Sequence, residues 1–176
     1  MADLEPRTPN LEPHQAAIAL GSNLASPFGE RAANLREAVK RVEALGHVRA
    51  VSSFYSTAPV GFADQPDFLN AALLLETQLG PLDLMRGLLA IERAMGRDRA
   101  TAIAKGPRII DLDLLLLDDV VLAAAAGPDG APALTLPHPA MAQRRFVLEP
   151  LAEIAPAMVD PLSGRTIAAL LAALPN

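Results

Sequence analysis

Asp111 and Asp113 are two carboxylates two residues apart inside GPRIIDLDLLLLDD (106–119), an otherwise apolar stretch. Gly106-Pro107 opens that stretch as a turn signal and Asp118-Asp119 closes it, so it reads as a buried β-strand. Alternate strand residues share a face, which predicts that Asp111 and Asp113 point the same way, together with Leu115 and Leu117. Their Cα atoms would lie about 6.5–7 Å apart, from the strand rise. Two acids that close repel, and one is driven to keep its proton unless a cation joins them. Hard oxygen ligands suit Mg²⁺, commonly held by one or two carboxylates plus substrate phosphates. Carboxylates at this separation can also share two ions about 3.5–4 Å apart. The preceding loop, RDRATAIAKGPR (97–108), carries Arg97, Arg99, Lys105 and Arg108, and cations beside paired acids suit a polyphosphate held with metal. The acid pair alone also fits an edge strand guarded by charge, and the cations alone also fit a solvated loop.

Composition narrows the field. The chain has no cysteine, which excludes disulfides, thiolate chemistry and zinc-cysteine sites. Its 176 residues, 51% hydrophobic and 20% charged, suffice for one globular domain with a core. A net charge of −5 argues against a nucleic-acid partner held by electrostatics. No G-x-x-x-x-G-K-[ST] or G-x-G-x-x-G occurs, so nucleotide phosphates would have to be met by metals and arginines rather than by a glycine cradle. No apolar run reaches membrane-spanning length without a charge or breaker. MADLEPRTPNLEPHQ has early acids and prolines and no apolar core, unlike a signal peptide. Residues 1–15 are expected to be a disordered tail before a single domain, 16–176, and the protein to be a cytoplasmic monomer.

The elements that would position the acids follow from pattern. QAAIALG (15–21) reads as a strand, and 30–45 as a helix with Leu35, Ala38, Val39, Val42 and Leu45 at helical spacing and Gly46 as its C-terminal glycine. HVRAVSSFYST (47–57) reads as one strand, 58–67 as a loop, and FLNAALLLETQL (68–79) as a strand. A helix from Pro81 to Met95 follows, with Pro81 in its first turn and Gly96 as its stop. After the acidic strand, VVLAAAA begins as a strand and decays into an Ala/Gly/Pro-rich excursion. LTLPHP is a short strand, MAQRRFVLEPLAEIAP is partly helical, and TIAALLAAL is a small helix. The order β-α-β-β-α-β through residue 117 is ferredoxin-like, predicting an α+β domain with an antiparallel sheet flanked by helices.

GPRIIDLDLLL, preceded by IERAMGRDR, resembles the signature of the 6-hydroxymethyl-7,8-dihydropterin pyrophosphokinases of folate biosynthesis. IALGSNL (18–24), SSFYSTAPVG (52–61), QPDFLNA (65–71), LPHPAM (136–141), RRFVLEPL (144–151) and EIAP (153–156) match in the same order. The resemblance implies pyrophosphoryl transfer from ATP to the hydroxymethyl group of the pterin, leaving AMP. It implies that Asp111 and Asp113 hold two Mg²⁺ ions. Arg97 and Arg108 correspond to the catalytic arginines near the phosphates, and Glu92, Arg99, Lys105, His138 and Arg144 to the ATP site. The pterin would stack between Phe68 and Phe146, with Asn70 reading its amide edge and backbone groups near Thr57 and Val60 completing the pocket. A flat heteroaromatic does need two apolar faces and a few polar groups at its rim. The sequence departs from some members at Lys105, where they carry an aromatic, at Leu89 for glutamine, and at Ala133 for arginine. Two rival readings are a D-x-D glycosyltransferase, which would need a larger nucleotide-binding domain, and a non-catalytic ferredoxin-like ligand-binding module. Removing either acid is expected to abolish turnover while leaving the metal-free fold as firm as before or firmer.

Overall fold

The computed structural model describes residues 12–127 and 130–176. Strands β1 (His14–Ser22), β2 (His47–Val51), β3 (Tyr55–Thr57), β4 (Phe68–Thr77) and β5 (Asp111–Leu117) form one sheet in the order β2-β4-β1-β5, with β3 also pairing to β4. Every pairing is antiparallel. Helices α1 (Arg31–Val42) and α2 (Pro81–Ala94) precede β2 and β5, and α3 (Arg145–Ile154) and α4 (Ile167–Ala172) close the chain. This is the ferredoxin-like arrangement the element order predicts, with helices on both faces of the sheet.

Central β1 and β4 are apolar on both sides because both sides are covered. On one side Ile18, Leu20, Leu73 and Leu112 pack with Leu35, Ala38 and Val42 of α1 and Leu84 and Leu88 of α2. On the other, Ala17, Ala72 and Leu115 pack with Val147, Leu148 and Leu151 of α3 and Ile167 and Leu170 of α4. The three-to-four spacing of each helical set is the stripe an amphipathic helix lays on a sheet.

Three expectations change. The stretch 47–57 is two strands. Ser52 donates its N–H to the Ala72 carbonyl and accepts the Ala72 N–H on its hydroxyl, each at 2.9 Å, so a side chain replaces a ladder carbonyl and the strand breaks there. Leu117 does not share the face of Asp111 and Asp113. The register slips where Ile18 pairs Leu114 and Ala17 pairs Leu116, so the bulged Leu115 resets the alternation; Leu115 and Leu116 join one core and Leu117 the other. His14 and Gln15 belong to β1, paired with Thr77 and Glu76; of the rest of the expected tail, residues 1–11 lie outside the described residues. The Ala-rich excursion is bounded by β6 (Leu122–Ala125) and β7 (Leu134–Leu136), which pair with each other.

Gly46 ends the 3-10 turn Glu43–Leu45 that follows α1, and for a different reason than expected. Its backbone is extended, with φ 163°. A Cβ there would lie 2.2 Å from the Glu76 carbonyl oxygen, a backbone atom of β4 that cannot rotate away. Gly46→Ala should destabilise the protein by on the order of 1–3 kcal/mol through overpacking, read as a lowered midpoint in urea. A midpoint equal to wild type would show that β4 yields.

Candidate active site

Sheet register assembles the site. Gly21 of β1 pairs with Asp111 of β5 on one side and with Asn70 of β4 on the other, and Asn70 pairs with Tyr55 of β3. Paired residues share a face, so these four, with Asp113, Thr57 and Phe68 two residues along, all face α3. Asn70 donates to the Thr57 hydroxyl at 2.6 Å. Gly21 has no side chain to fill the row, and a Cβ there would touch Asn70 Oδ1 at 3.3 Å and Phe68 at 3.8 Å. A cavity of about 150 Å³ opens above it. Thr57, Val60, Phe68, Asn70 and Phe146 line it, as do Asp111, Asp113, Arg108, Arg144 and Lys105. The pterin set and the acid pair named from sequence therefore meet in one cavity.

A second cavity, about 220 Å³, lies across β5. The outer edge of that strand frames it: Glu92 accepts the Leu112 N–H at 2.8 Å, and the Leu115 carbonyl accepts the His138 N–H at 2.9 Å. Leu114, Leu134, Thr135, His138 and Arg99 line it, and Asp113 lines both cavities. Arg99 and His138 thus stand apart from Lys105 and Arg144, although all four were grouped as one ATP set. Lys105 and Arg144 belong to the aromatic-walled cavity, and Asp113 is the divide. Burial, with the nearby Arg144, holds the His138 ring below its usual pKa.

Glu92 sits 1% exposed in the body of α2. Besides the Leu112 N–H it accepts from Arg97 at 2.9 Å and Arg99 at 2.8 Å. Burial pushes its carboxyl pKa up, against the pull of Arg97. It anchors both arginines. Arg97, its side chain 10% exposed, spans Glu92 and Asp111. Its buried Nε has no acceptor among the described residues. Arg108 reaches Asp111 at 3.0 Å and stands over the Phe68 ring, 5.7 Å from its centroid. Burial alone would raise the Asp111 pKa; Arg97 and Arg108 outweigh it and hold that carboxylate ionised.

Asp113 is the opposite case. It accepts no hydrogen bond from a described residue, and burial, followed by the charges of Asp111 and Glu92, pushes it up to about 7. A half-buried carboxylate without a donor, sharing a face with a second carboxylate, fits a hard divalent cation. Among the described residues no third acidic or His side chain completes a protein-only cage, so a cation here would take its remaining ligands from phosphate or water.

Sequence reasoning gave Gly21 and Asn23 no role beyond their place in IALGSNL (18–24) and missed two contributions. Gly21 floors the cavity. Asn23, 2% exposed, accepts the Arg108 N–H at 2.8 Å and donates to Gln65 at 2.9 Å and to the Pro66 carbonyl at 3.0 Å. Gln65 in turn donates to the Lys105 carbonyl at 2.8 Å. One buried amide thus ties together the end of β1 and the loops 58–67 and 97–110. Thr135 and Leu114 of the second cavity were also missed; only their neighbourhood to His138 and Asp113 in sequence pointed at them.

A ferredoxin-like α+β domain with paired acids and a fan of arginines at one end of its sheet defines a class of protein built to handle phosphate groups beside a flat ligand. Within that class, the chain belongs to the 7,8-dihydro-6-hydroxymethylpterin-pyrophosphokinase (HPPK) family, whose sequence model matches residues 17–156. It is 43% identical over 160 residues to the 2-amino-4-hydroxy-6-hydroxymethyldihydropteridine pyrophosphokinase of Pseudomonas aeruginosa, covering 90% of each chain. The protein of the same name from Synechocystis is 39% identical over 173 residues, 97% of this chain and 82% of that one. The HPPK-DHPS protein of Plasmodium falciparum superposes with a TM-score of 0.70 at 17% identity, over 92% of this chain and 44% of that one, a likeness of fold.

Proposed function

We propose that this chain transfers the pyrophosphoryl group of ATP to the hydroxymethyl group of 6-hydroxymethyl-7,8-dihydropterin, releasing AMP, in folate biosynthesis. The observation that carries the reading is the pair of cavities meeting at Asp113: one aromatic-walled, one lined by Leu114, Thr135 and His138. The pterin occupies the first, between Phe68 and Phe146, with Asn70 at its amide edge and Thr57 and Val60 at its rim. The adenine end of ATP occupies the second, and Asp113 lies between donor and acceptor. The glycosyltransferase and non-catalytic readings are set aside: neither requires an aromatic-walled cavity at the acid pair.

Asp111 and Asp113 would hold two Mg²⁺ ions, whose charge would offset that of the ATP phosphates. The protein's own part is positioning and charge. Arg97 keeps Asp111 ionised and adds positive charge behind it. Arg108 faces the cavity from beside Phe68, where the transferred group must cross, and Lys105 and Arg144 supply further positive charge there. The pterin oxygen attacks the β-phosphorus, the bond to the oxygen bridging the α-phosphate breaks, and AMP leaves with that oxygen; the hydroxyl proton passes to water. The protein works as a cytoplasmic monomer without nucleic-acid or membrane partners; no described helix is long and apolar enough to cross a membrane. The test is to incubate protein, ATP, Mg²⁺ and the pterin and identify the nucleotide formed. AMP produced only with pterin present supports the reading; ADP, or AMP without pterin, overturns it.

In the loop after α2, Arg97 and Arg99 are pinned to Glu92, which leaves 100–104 as the free tip, exposed throughout with Ile103 64% exposed. With few buried contacts to hold it, that tip should exchange its amide hydrogens fast in the free protein. It should slow at least tenfold with a non-hydrolysable ATP analogue, Mg²⁺ and pterin, as closure excludes water. Unchanged exchange with all ligands bound would rule closure out.

A further inference from the structure

Outside the two cavities, one carboxylate gathers an unusual number of donors. Glu153, near the C-terminal end of α3, accepts the Ser53 N–H at 2.9 Å and the Ser53 hydroxyl at 2.8 Å on one oxygen, and the Tyr55 hydroxyl on the other. Hydrogen bonding with Tyr55, then with Ser53, holds its pKa below the usual carboxylate range, and the Tyr55 hydroxyl is pushed up to about 12. Both directions favour an ionised Glu153 beside a protonated Tyr55. It joins the last turn of α3 to the link between β2 and β3.

The clamp lies in register with the aromatic slot. Phe146 and Glu153 are seven residues apart on α3, on nearly the same face and about 10.5 Å apart along the axis. Tyr55 and Thr57 are two residues apart on β3, again on one face. Helix and strand thus meet at two rungs. At one, Tyr55 and Ser53 hold Glu153. At the next, Phe146 faces the sheet wall formed by Thr57, Phe68 and Asn70 across the cavity. Nothing spans that second rung, because it is the cavity. The helix cannot set its own attitude fully: Pro150 lies inside it and has no N–H to give the Phe146 carbonyl. Apolar packing of Val147, Leu148 and Leu151 holds α3 to the sheet but is non-directional; a three-donor carboxylate supplies direction.

We propose that Glu153 is a positioning residue for pyrophosphoryl transfer, fixing through Ser53 and Tyr55 the separation of the two walls between which the pterin stacks. The inference rests on the assignment of that slot to the pterin. It predicts a selective defect. Glu153→Ala should raise the KM for pterin about fivefold to twentyfold, with kcat and the KM for ATP changed less than twofold. Glu153→Gln, which keeps an acceptor for Ser53 and offers Tyr55 an amide partner, should restore most of the wild-type value. Tyr55→Phe should cause an intermediate rise and add little to Glu153→Ala when the two are combined.

The experiment is steady-state kinetics of these four variants against each substrate, with melting temperatures alongside. A pterin-specific KM rise rescued by glutamine supports the proposal. An unchanged pterin KM in Glu153→Ala, an equal rise in both KM values, or a glutamine variant no better than alanine overturns it. If wild type turned over ATP with a different acceptor and ignored the pterin, the slot assignment itself would fall. The clamp could then be judged by the same selectivity toward that acceptor.

Discussion

Asp113→Asn should lower turnover by roughly a thousandfold or more at saturating Mg²⁺, the scale of losing a principal electrostatic stabiliser, while making the ligand-free protein more stable above neutral pH. Both follow from one environment. Asp113 is half-buried, accepts no hydrogen bond from a described residue, and shares its face with Asp111. Its carboxyl is pushed up from an ordinary 3.8 to about 7 by burial and by the Asp111 and Glu92 charges. A folded pKa raised above the unfolded one means a contribution fully present below about 4 and lost as pH rises through about 7. Melting of ligand-free wild type and Asp113→Asn should therefore nearly coincide at pH 4 and separate by pH 8, the variant higher. ATP with Mg²⁺ should reverse that order, since the wild type alone gains the full binding energy. Asp111→Asn should be equally inactive but less stable at pH 7, because Arg97, 10% exposed, and Arg108, 19% exposed, lose their shared partner. That departs from the sequence expectation that removing either acid costs the metal-free fold nothing. Two active variants, or equal melting shifts for both, would overturn the division of labour.

That asymmetry marks where sequence reasoning stops. The spacing of Asp111 and Asp113 was enough to put them on one face, because strand alternation is local. Which of the two is paired depends on Arg97 and Arg108, and their reach is a tertiary matter. The β-α-β-β-α-β order was legible because each element carries its own period. The break at Ser52 and the bulge at Leu115 were not, because both arise from the neighbouring strand: Ala72 takes Ser52 as its partner, and β1 slips between Ala17 and Ile18. Glu92 illustrates the same boundary. It was named as an acid near the nucleotide, and only the fold turns it inward as the anchor for Arg97, Arg99 and the edge of β5. Lys105 and Arg144, grouped with His138 by family resemblance, line the cavity on the other side of Asp113. Asn23 gave no signal beyond its place in IALGSNL, since one buried amide joining the end of β1 to two loops has no period.

Phe146→Ala should weaken pterin binding by about tenfold to a hundredfold, on the order of 1–3 kcal/mol for losing one stacking wall, with ATP binding changed less than threefold. Phe146 stands at the start of α3, lines the cavity shared by Phe68 and Asn70, and has Arg144 5.7 Å from its ring centroid. Sequence alone also fits a core residue, and the ring does pack partly against the second core, so alanine should lower the melting temperature as well. Phe146→Leu separates the two roles. Leucine keeps most of the apolar volume against Val147 and Leu148 but removes the flat face a heteroaromatic stacks on. It should melt close to wild type and still lose most of the pterin affinity. Calorimetric titration of each variant with pterin and with ATP and Mg²⁺ separately reads the outcome. Full pterin affinity in Phe146→Leu would make the ring a packing residue only, and equal losses for both ligands in Phe146→Ala would show that it supports the whole site rather than one wall of the slot.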